Sequence, residues 1–337
     1  MKTSFIYSFA MSLFIALLMS CGSSTDPTPA PTPQRLVKTI SRNMALSSTV
    51  QSASLFDYTY TNCLLTKQTY TETVTGSTAY TTNYQHLYTY DTDGYVTRYD
   101  YTYSYASSGG ANNSTAYGTY EYEPIGTAKR LKKSIAGGSQ IGITTTTYDY
   151  DANGKVSQIV ASQPAINANS RPLLYVTTST YTNGLLTGFS ANSDGIVTQP
   201  YTIQNGLVTR RNTSTPNYYT TATYDANGRE TVFESWTNGG RTTRTETAYA
   251  ASGIDLSIPT FKGHPNLSAI TGGVSALPTQ RTLFRTNGFR NQDFLYIYTI
   301  DNQQFVTSVA NTTNTYANNV ISDTNTGLTN YTYIDCL

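Results

Sequence analysis

Four tyrosines, Tyr99, Tyr101, Tyr103 and Tyr105, alternate with Asp100, Thr102 and Ser104 in the run YDYTYSY. Successive side chains of a β-strand point to opposite faces, so this spacing sets four phenols in a row on one face. Such a row can stack against sugar rings or aromatic ligands while its hydroxyls give and accept hydrogen bonds. It can equally be the core of a tyrosine-rich sheet, with rings paired across strands. Trp236, the sole tryptophan, sits in ESWTNGG beside an expected turn and is the other candidate stacking side chain. The ligand class these residues imply is a glycan or another component of a cell envelope.

Other chemistry is scarce. His86 and His264 are the only histidines, too few for a three-histidine zinc site, and the three cysteines contain no C-x-x-C pair. The sequence has no phosphate-cradling glycine loop, no G-x-S-x-G elbow and no H-E-x-x-H. In YDYDANGKVSQIV, Asp149, Asp151, Asn153 and Gly154 match the opening of a calcium loop, but Val160 stands where the closing carboxylate belongs. Asp91, Asp93, Asp151 and Asp225 fall where the chain is expected to reverse. The expectation is therefore a protein without catalytic residues, cofactor or metal. A hydrolase with carboxylates dispersed in sequence is an alternative, because such a pair need only converge in space.

The N-terminus gives an address. Lys2 is followed by an apolar run from Phe5 to Met19, ending in Leu18-Met19-Ser20-Cys21. The run is shorter than the roughly 20 residues of a membrane span, and a small residue precedes the cysteine. It resembles a bacterial lipobox, which implies that residues 1–20 are a signal peptide and that Cys21 is the lipidated first residue of the mature chain. The resemblance implies three acyl chains on that cysteine, enough to anchor a protein stably to a membrane without spanning it, and an outer-membrane destination is expected. Residues 21–34 supply the lipidated cysteine and a proline-rich linker, a semi-rigid spacer reaching about 40 Å at ~3.1 Å per residue. The remainder, 35–337, reads as a single domain.

Composition fixes the class of that domain. The chain has 21 basic and 20 acidic side chains, and loss of Lys2 with the signal leaves no net charge, so nothing here attracts nucleic acid. Charged residues are 12% of the chain, while tyrosine alone supplies 30 residues and threonine is abundant. Both favour strands, which points to an all-β protein.

One pattern recurs: alternating Tyr, then Asp or Asn, a Gly, then apolar residues and Thr. It is seen in YTYDTDGYVTRY (88–99), YDYDANGKVSQIV (148–160), STYTNGLLTGFS (179–190), YTIQNGLVTRR (201–211) and ATYDANGRETVFE (222–234). Asn-Gly and Asp-Gly supply the positive φ angles of short hairpin connections, so each copy is centred on a chain reversal. The expected architecture is a long antiparallel meander of 14 to 20 strands, strongly curved or closed into a barrel, because open twisted sheets rarely exceed about ten strands.

The Tyr-Asp-x-x-Gly pattern resembles the YD repeats of rearrangement-hotspot proteins and teneurins. It resembles more closely a group of Bacteroidetes-type lipoproteins with YD-like repeats, which implies a porin-like, barrel-shaped fold. FKGHPNLSAITGGVSALPTQR (261–281) followed by YIYTIDNQQFVTS (296–308) matches the late part of that arrangement, with the turn glycine replaced around Gln303. A membrane-crossing barrel fits poorly, since one face of the alternation is Thr, Ser and Asp and the other Tyr, where lipid demands Leu, Val and Phe. The functional expectation is a lipid-anchored envelope binding or accessory protein presenting a Tyr-rich surface, with a non-binding scaffold as the alternative.

The remaining cysteines, Cys63 in YTYTNCL and Cys336 in YTYIDCL, sit in the opening and closing copies of the repeat. An exported protein permits a disulfide between them. In an even-stranded barrel whose first strand lies between them, they would stand about 10 Å apart across two strand spacings, beyond the usual Cα limit near 7 Å. The bond requires that first strand to be absent, short or displaced.

Overall fold

The computed structural model describes residues 34–250 and 277–336, apart from 47–48, 78, 140, 166–171, 184, 194–195, 199–200, 213–216, 287 and 304. The signal segment, Cys21, nearly all of the proline-rich stretch and His264 lie outside the described residues. The described chain contains no helix. Its strands are β1 (Gln34–Ala45), β2 (Gln51–Thr61), β3 (Leu64–Thr75), β4 (Tyr80–Tyr90), β5 (Val96–Ser107), β6 (Gly110–Ile125) and β7 (Ala128–Gly138). There follow β8 (Ile141–Tyr150), β9 (Val156–Gln163), β10 (Leu173–Thr182), β11 (Leu185–Ser193), β12 (Ile196–Thr198), β13 (Tyr201–Gln204) and β14 (Leu207–Asn212). The last are β15 (Tyr218–Tyr224), β16 (Glu230–Thr237), β17 (Gly240–Tyr249), β18 (Pro278–Phe284), β19 (Arg290–Ile300), β20 (Val306–Ala317) and β21 (Val320–Cys336).

Each strand pairs antiparallel with its sequence neighbour, β12 and β13 excepted, and β1 pairs antiparallel with β21, so the meander curls into a nearly closed barrel. β12 and β13 lie one after the other along β11; taken as one interrupted strand they give twenty positions around the barrel. Closure is the physical answer to the edge problem, since an open sheet of this length would leave two unpaired rows of backbone groups.

Most buried positions gather on one face, the cluster of Thr282, Asp293 and Tyr316 being the exception. Thr146 and Tyr148 of β8 face Ala161 and Ile159 of β9, and Thr177 of β10 continues the row. Thr220 and Ala222 of β15 face Ser235 and Phe233 of β16 in the same pattern. The opposite face leaves Leu55, Leu87, Leu295, Leu328 and, at 72% exposure, Ile297 open to solvent. In a closed sheet, side chains on the concave face converge and those on the convex face diverge, so the buried face is the interior. The tyrosines of the repeat are on it.

The Asp of the repeat caps its own turn. Asp91 Oδ1 accepts from the backbone N–H of Asp93 and Tyr95, at 3.0 and 2.9 Å. Asp151, Asp225 and Asp301 hold the N–H groups two and four residues ahead in the same way. Gly94, Gly154 and Gly228 complete three of these turns at φ 75–80°, where a β-carbon would be strained. Asp151 is thus a turn-forming residue, and Asp149 lies before it on β8 rather than converging with it.

The Tyr has a separate task, visible only in three dimensions. Between successive hairpins the backbone ladder stops about two residues short of the end of the barrel where the Asp turns lie. The β3–β4 ladder ends at Lys67 and Leu87, and Tyr90 Oη then donates to the Leu65 carbonyl beyond the last pair, at 2.6 Å. Tyr60, Tyr150, Tyr224, Tyr249, Tyr298 and Tyr333 donate to the carbonyls of Val37, Leu131, Val208, Glu230, Pro278 and Val306 at 2.5–2.7 Å. Each ring fills the gap between two splayed strands while its hydroxyl satisfies a carbonyl the ladder has abandoned. Leu65 and Val96, with Tyr58, Tyr60, Tyr88, Tyr90 and Tyr120 around them, show the packing that results. Tyr90→Phe keeps the ring and removes only the bond, so it should lower stability by about 1–2 kcal/mol, read as a lower denaturant midpoint at unchanged m-value.

The seam follows the same plan. β1 and β21 pair from Met44↔Gly327 down to Gln34↔Cys336, whereas β1 and β2 pair only from Ala45↔Gln51 to Thr39↔Asp57. β1 therefore acts as the second strand of a hairpin whose turn is missing, and it parts from β2 below Thr39, where Tyr60 bridges to Val37. Arg35 Nη1 donates at 2.6 Å to both Asp301 Oδ2 and Gln303 Oε1, and its guanidinium lies over the rings of Phe305 and Tyr333. The β2–β3 turn, with Asn62 and Cys63 at φ 50 and 63°, stands beyond the last β1–β2 pair. There Cys63 is disulfide-linked to Cys336, with Cα atoms 5.5 Å apart and a sequence separation of 273. The first strand is present but displaced from its neighbour at this end.

Candidate functional site

The interior wall of β2–β6 is a continuous aromatic surface. Register carries one face from Phe56 through Tyr70 and Tyr84 to Tyr103, and from His86 to Tyr101 and Tyr88 to Tyr99. Ring centroids are 4.5 Å apart for Phe56 and Tyr70, 4.6 Å for Tyr70 and Tyr84, and 4.7 Å for His86 and Tyr101. Tyr99 reaches Tyr120 at 6.1 Å and Tyr105 reaches Tyr80 at 5.6 Å. The four tyrosines of β5 are thus one rung-set of a larger array, and they are neither fully buried nor isolated.

Gly118 on β6 makes room for it. Its α-carbon faces Tyr99, whose ring occupies the place a β-carbon would take. The missing side chain lets the phenol lie flat across the neighbouring strand.

The ladder tyrosines differ from the strand-bridging ones in what their hydroxyls do. The phenol oxygens of Tyr99, Tyr101, Tyr103 and Tyr105 make no hydrogen bond to another described residue. They are half-buried, and burial pushes the Tyr99 and Tyr101 phenols above their ordinary range. Tyr84 and Tyr88 are pushed up by burial and by the phenols around them. His86 lies among Tyr84, Tyr88, Tyr99 and Tyr101, and burial lowers it to about 4. At neutral pH this wall holds rings and uncharged polar groups, with Glu72 as the carboxylate beside Tyr70 and Tyr80.

Trp236 is not part of this wall. It pairs with Tyr219 across β15–β16, and both side chains lie on the exterior. The two rings are parallel within 5° at 5.8 Å, and Trp236 Nε1 donates to Thr221 Oγ1 at 3.3 Å. The five candidate stacking residues therefore divide, four inside and one outside, on strands ten positions apart. Gly118, Tyr84 and His86 escaped the sequence reading because only cross-strand register sets them against the ladder. The one signal for Tyr84 and His86 was the tyrosine alternation of YQHLYTY itself.

Among the described residues Asp293 is the one buried carboxylate, 3% exposed. Its Oδ2 accepts from Tyr316 Oη at 2.6 Å and from Arg290 at 3.3 Å, on the outward face near the β18–β19 turn.

No protein-family model matches the chain, and no curated protein matches it. Among solved structures it is similar to a porin-like protein from Bacteroides uniformis, at 14% identity and TM-score 0.37, over 88% of this chain and 96% of that one. The barrel itself rests on the strand pairing, which runs from β1 round to β21 and back to β1.

Proposed function

We propose that this chain is a lipid-anchored envelope protein, held through Cys21, whose tyrosine-lined interior binds an uncharged glycan without catalysis. The observation that carries the reading is the phenol row of Tyr99, Tyr101, Tyr103 and Tyr105, whose hydroxyls bond to no other described residue, set in a wall of stacked rings. Aromatic faces take the apolar faces of sugar rings, and hydroxyls aimed beside them take the sugar's hydroxyls. The ladder itself is uncharged, which suits a neutral polyhydroxylated ligand, since nothing in it compensates an ionised one. The outward face supports anchoring rather than insertion of the barrel: it carries the ion pairs Arg98–Asp100, Lys133–Glu121 and Arg244–Glu234, costly against lipid.

The test has two arms. Cys21→Ser should move the chain from the membrane to the soluble fraction. The soluble form, titrated calorimetrically against a panel of neutral envelope oligosaccharides, should bind at least one, and Tyr101→Phe/Tyr103→Phe should weaken that binding about tenfold. A panel without a binder, or a double variant that binds as well, removes the ladder from the function.

A further inference from the structure

One copy of the repeat breaks its own packing rule. Beside the turns the register shifts by one residue, and there the last inward side chain of one strand meets a residue of the next. Elsewhere in the barrel that residue is Leu65, Val96, Leu131, Val156, Val208 or Val306, at 0–9% exposure. In ATYDANGRETVFE it is Glu230, paired with Tyr224 and half-buried on the interior. A carboxylate in an apolar slot costs stability, and burial holds Glu230 above the usual carboxylate range although Arg211 and Arg281 act to lower it. Those arginines also point inward, three residues beyond the same slot in the hairpins on either side, after Val208 and Pro278. Gln68, Tyr99, Ser134, Ile159 and Val309 stand at that level elsewhere, none of them charged. Tyr224 lies in the field of Glu230 and Arg211, and Tyr249 in that of Glu230 and Arg281, so the three charges share one space. Yet neither arginine side chain, nor the Glu230 carboxylate, makes an ion pair or hydrogen bond with a described residue.

We infer that Arg211, Glu230 and Arg281 form a binding site for a uronic acid unit of a saccharide, its carboxylate between the two guanidiniums and a neighbouring hydroxyl donating to Glu230. An arginine fork matches the two oxygens of a carboxylate, and both forks here are uncommitted. With Glu230 ionised the three groups leave one positive charge, which a monocarboxylate neutralises and a phosphate dianion overshoots. β14 and β18 stand two strands to either side of β16, about 10 Å at ~4.8 Å per strand, so the guanidiniums approach from opposite sides. The site lies on the wall opposite the tyrosine ladder, ten of the twenty strand positions away, and takes a charged unit where the ladder takes neutral ones.

The test is calorimetric titration of the soluble mature chain with glucuronate, galacturonate and mannuronate, each beside its neutral parent sugar, and with inorganic phosphate. At least one uronate should bind at least tenfold more tightly than its parent, and less tightly as salt rises. Arg211→Gln and Arg281→Gln should each weaken that binding at least tenfold. Glu230→Gln should lose the preference for uronate over phosphate, while Tyr101→Phe/Tyr103→Phe should change nothing. Glu230→Leu restores the apolar residue of the other copies and should raise the denaturant midpoint, which a carboxylate kept for structure would not allow. Circular dichroism confirms that each variant is folded. A set of uronates that bind no better than their parents, or binding that survives both arginine variants, overturns the proposal. So does a Glu230→Leu chain less stable than the native one, which would make the three charges a structural network. Binding lost in the ladder double variant but kept in the arginine variants places the sugar on the opposite wall and equally overturns it.

Discussion

Cys63→Ser/Cys336→Ser will lower the stability of the barrel by about 5 kcal/mol in the chain-entropy account, the largest effect expected of any pair of substitutions in this chain. The bond joins residues separated by 273 positions in sequence, and it does so where the β1–β2 ladder has ended. Below Thr39 the β1–β2 ladder has ended, so the link from the closing hairpin β21–β1 to the opening hairpin β2–β3 rests on Tyr60 and the disulfide. Arg35 grips the other neighbour, at Asp301 and Gln303. A non-reducing gel should show faster migration of the native chain than of the double variant. Denaturant unfolding with and without reductant should show the same loss as the double variant. Equal stability of the native and double-variant chains would mean that hydrogen bonding alone holds the seam.

Acid should destabilise the barrel in two steps that belong to different residues. His86 titrates near its ordinary value of about 6.5 in the unfolded chain and at about 4 in the folded one, because burial among rings disfavours the charged imidazole. The groups packed against it, Tyr84 and Tyr88 on its own strand and Tyr99 and Tyr101 on the next, are phenols and carry no charge to compensate it. Between these two values the unfolded chain binds the extra proton. Stability is therefore complete above about pH 6.5 and falls as pH drops toward 4, by about 3 kcal/mol in all. Below that, the turn carboxylates take over. Asp225 and Asp301 are held below the usual carboxylate range, first by the backbone N–H groups of Arg229 and Phe305 and then by Arg229 and Arg35. Their contribution is present above the unfolded carboxylate value and is lost as pH falls through the folded one. Denaturant melts at pH 7, 5.5 and 4 should show the first step in the native chain and not in His86→Gln. A variant with an unchanged pH slope would assign that step elsewhere.

The repeat was legible because its parts are local. A Tyr alternation has the period of a strand, and Asp-x-x-Gly and Asn-Gly can do little but reverse the chain, so hairpins, antiparallel order and the need to curl follow from short stretches alone. The expected upper bound of twenty strands meets the twenty positions of the barrel, although β12 and β13 divide one of them. The tyrosine face could be drawn on β5 from YDYTYSY, but nothing there distinguishes Tyr90, whose hydroxyl closes a gap to β3, from Tyr101, whose hydroxyl faces the interior and bonds to no other described residue. That difference arises between strands, from where each ladder happens to stop.

Trp236 shows the same limit from the other side. Its neighbours in ESWTNGG suggest a turn and a stacking residue, yet the side of the wall it occupies follows from register against Tyr219. For YTYTNCL and YTYIDCL, sequence alone determined that both are copies of one repeat and that a bond between them hangs on the first strand. Only the tertiary structure decided how β1 parts from β2 below Thr39 and how Cys63 comes within 5.5 Å of Cys336. Local propensity acts within a hairpin, whereas closure is a property of the whole ring: the two cysteines become neighbours only because β1 pairs with β21 on one side and with β2 on the other.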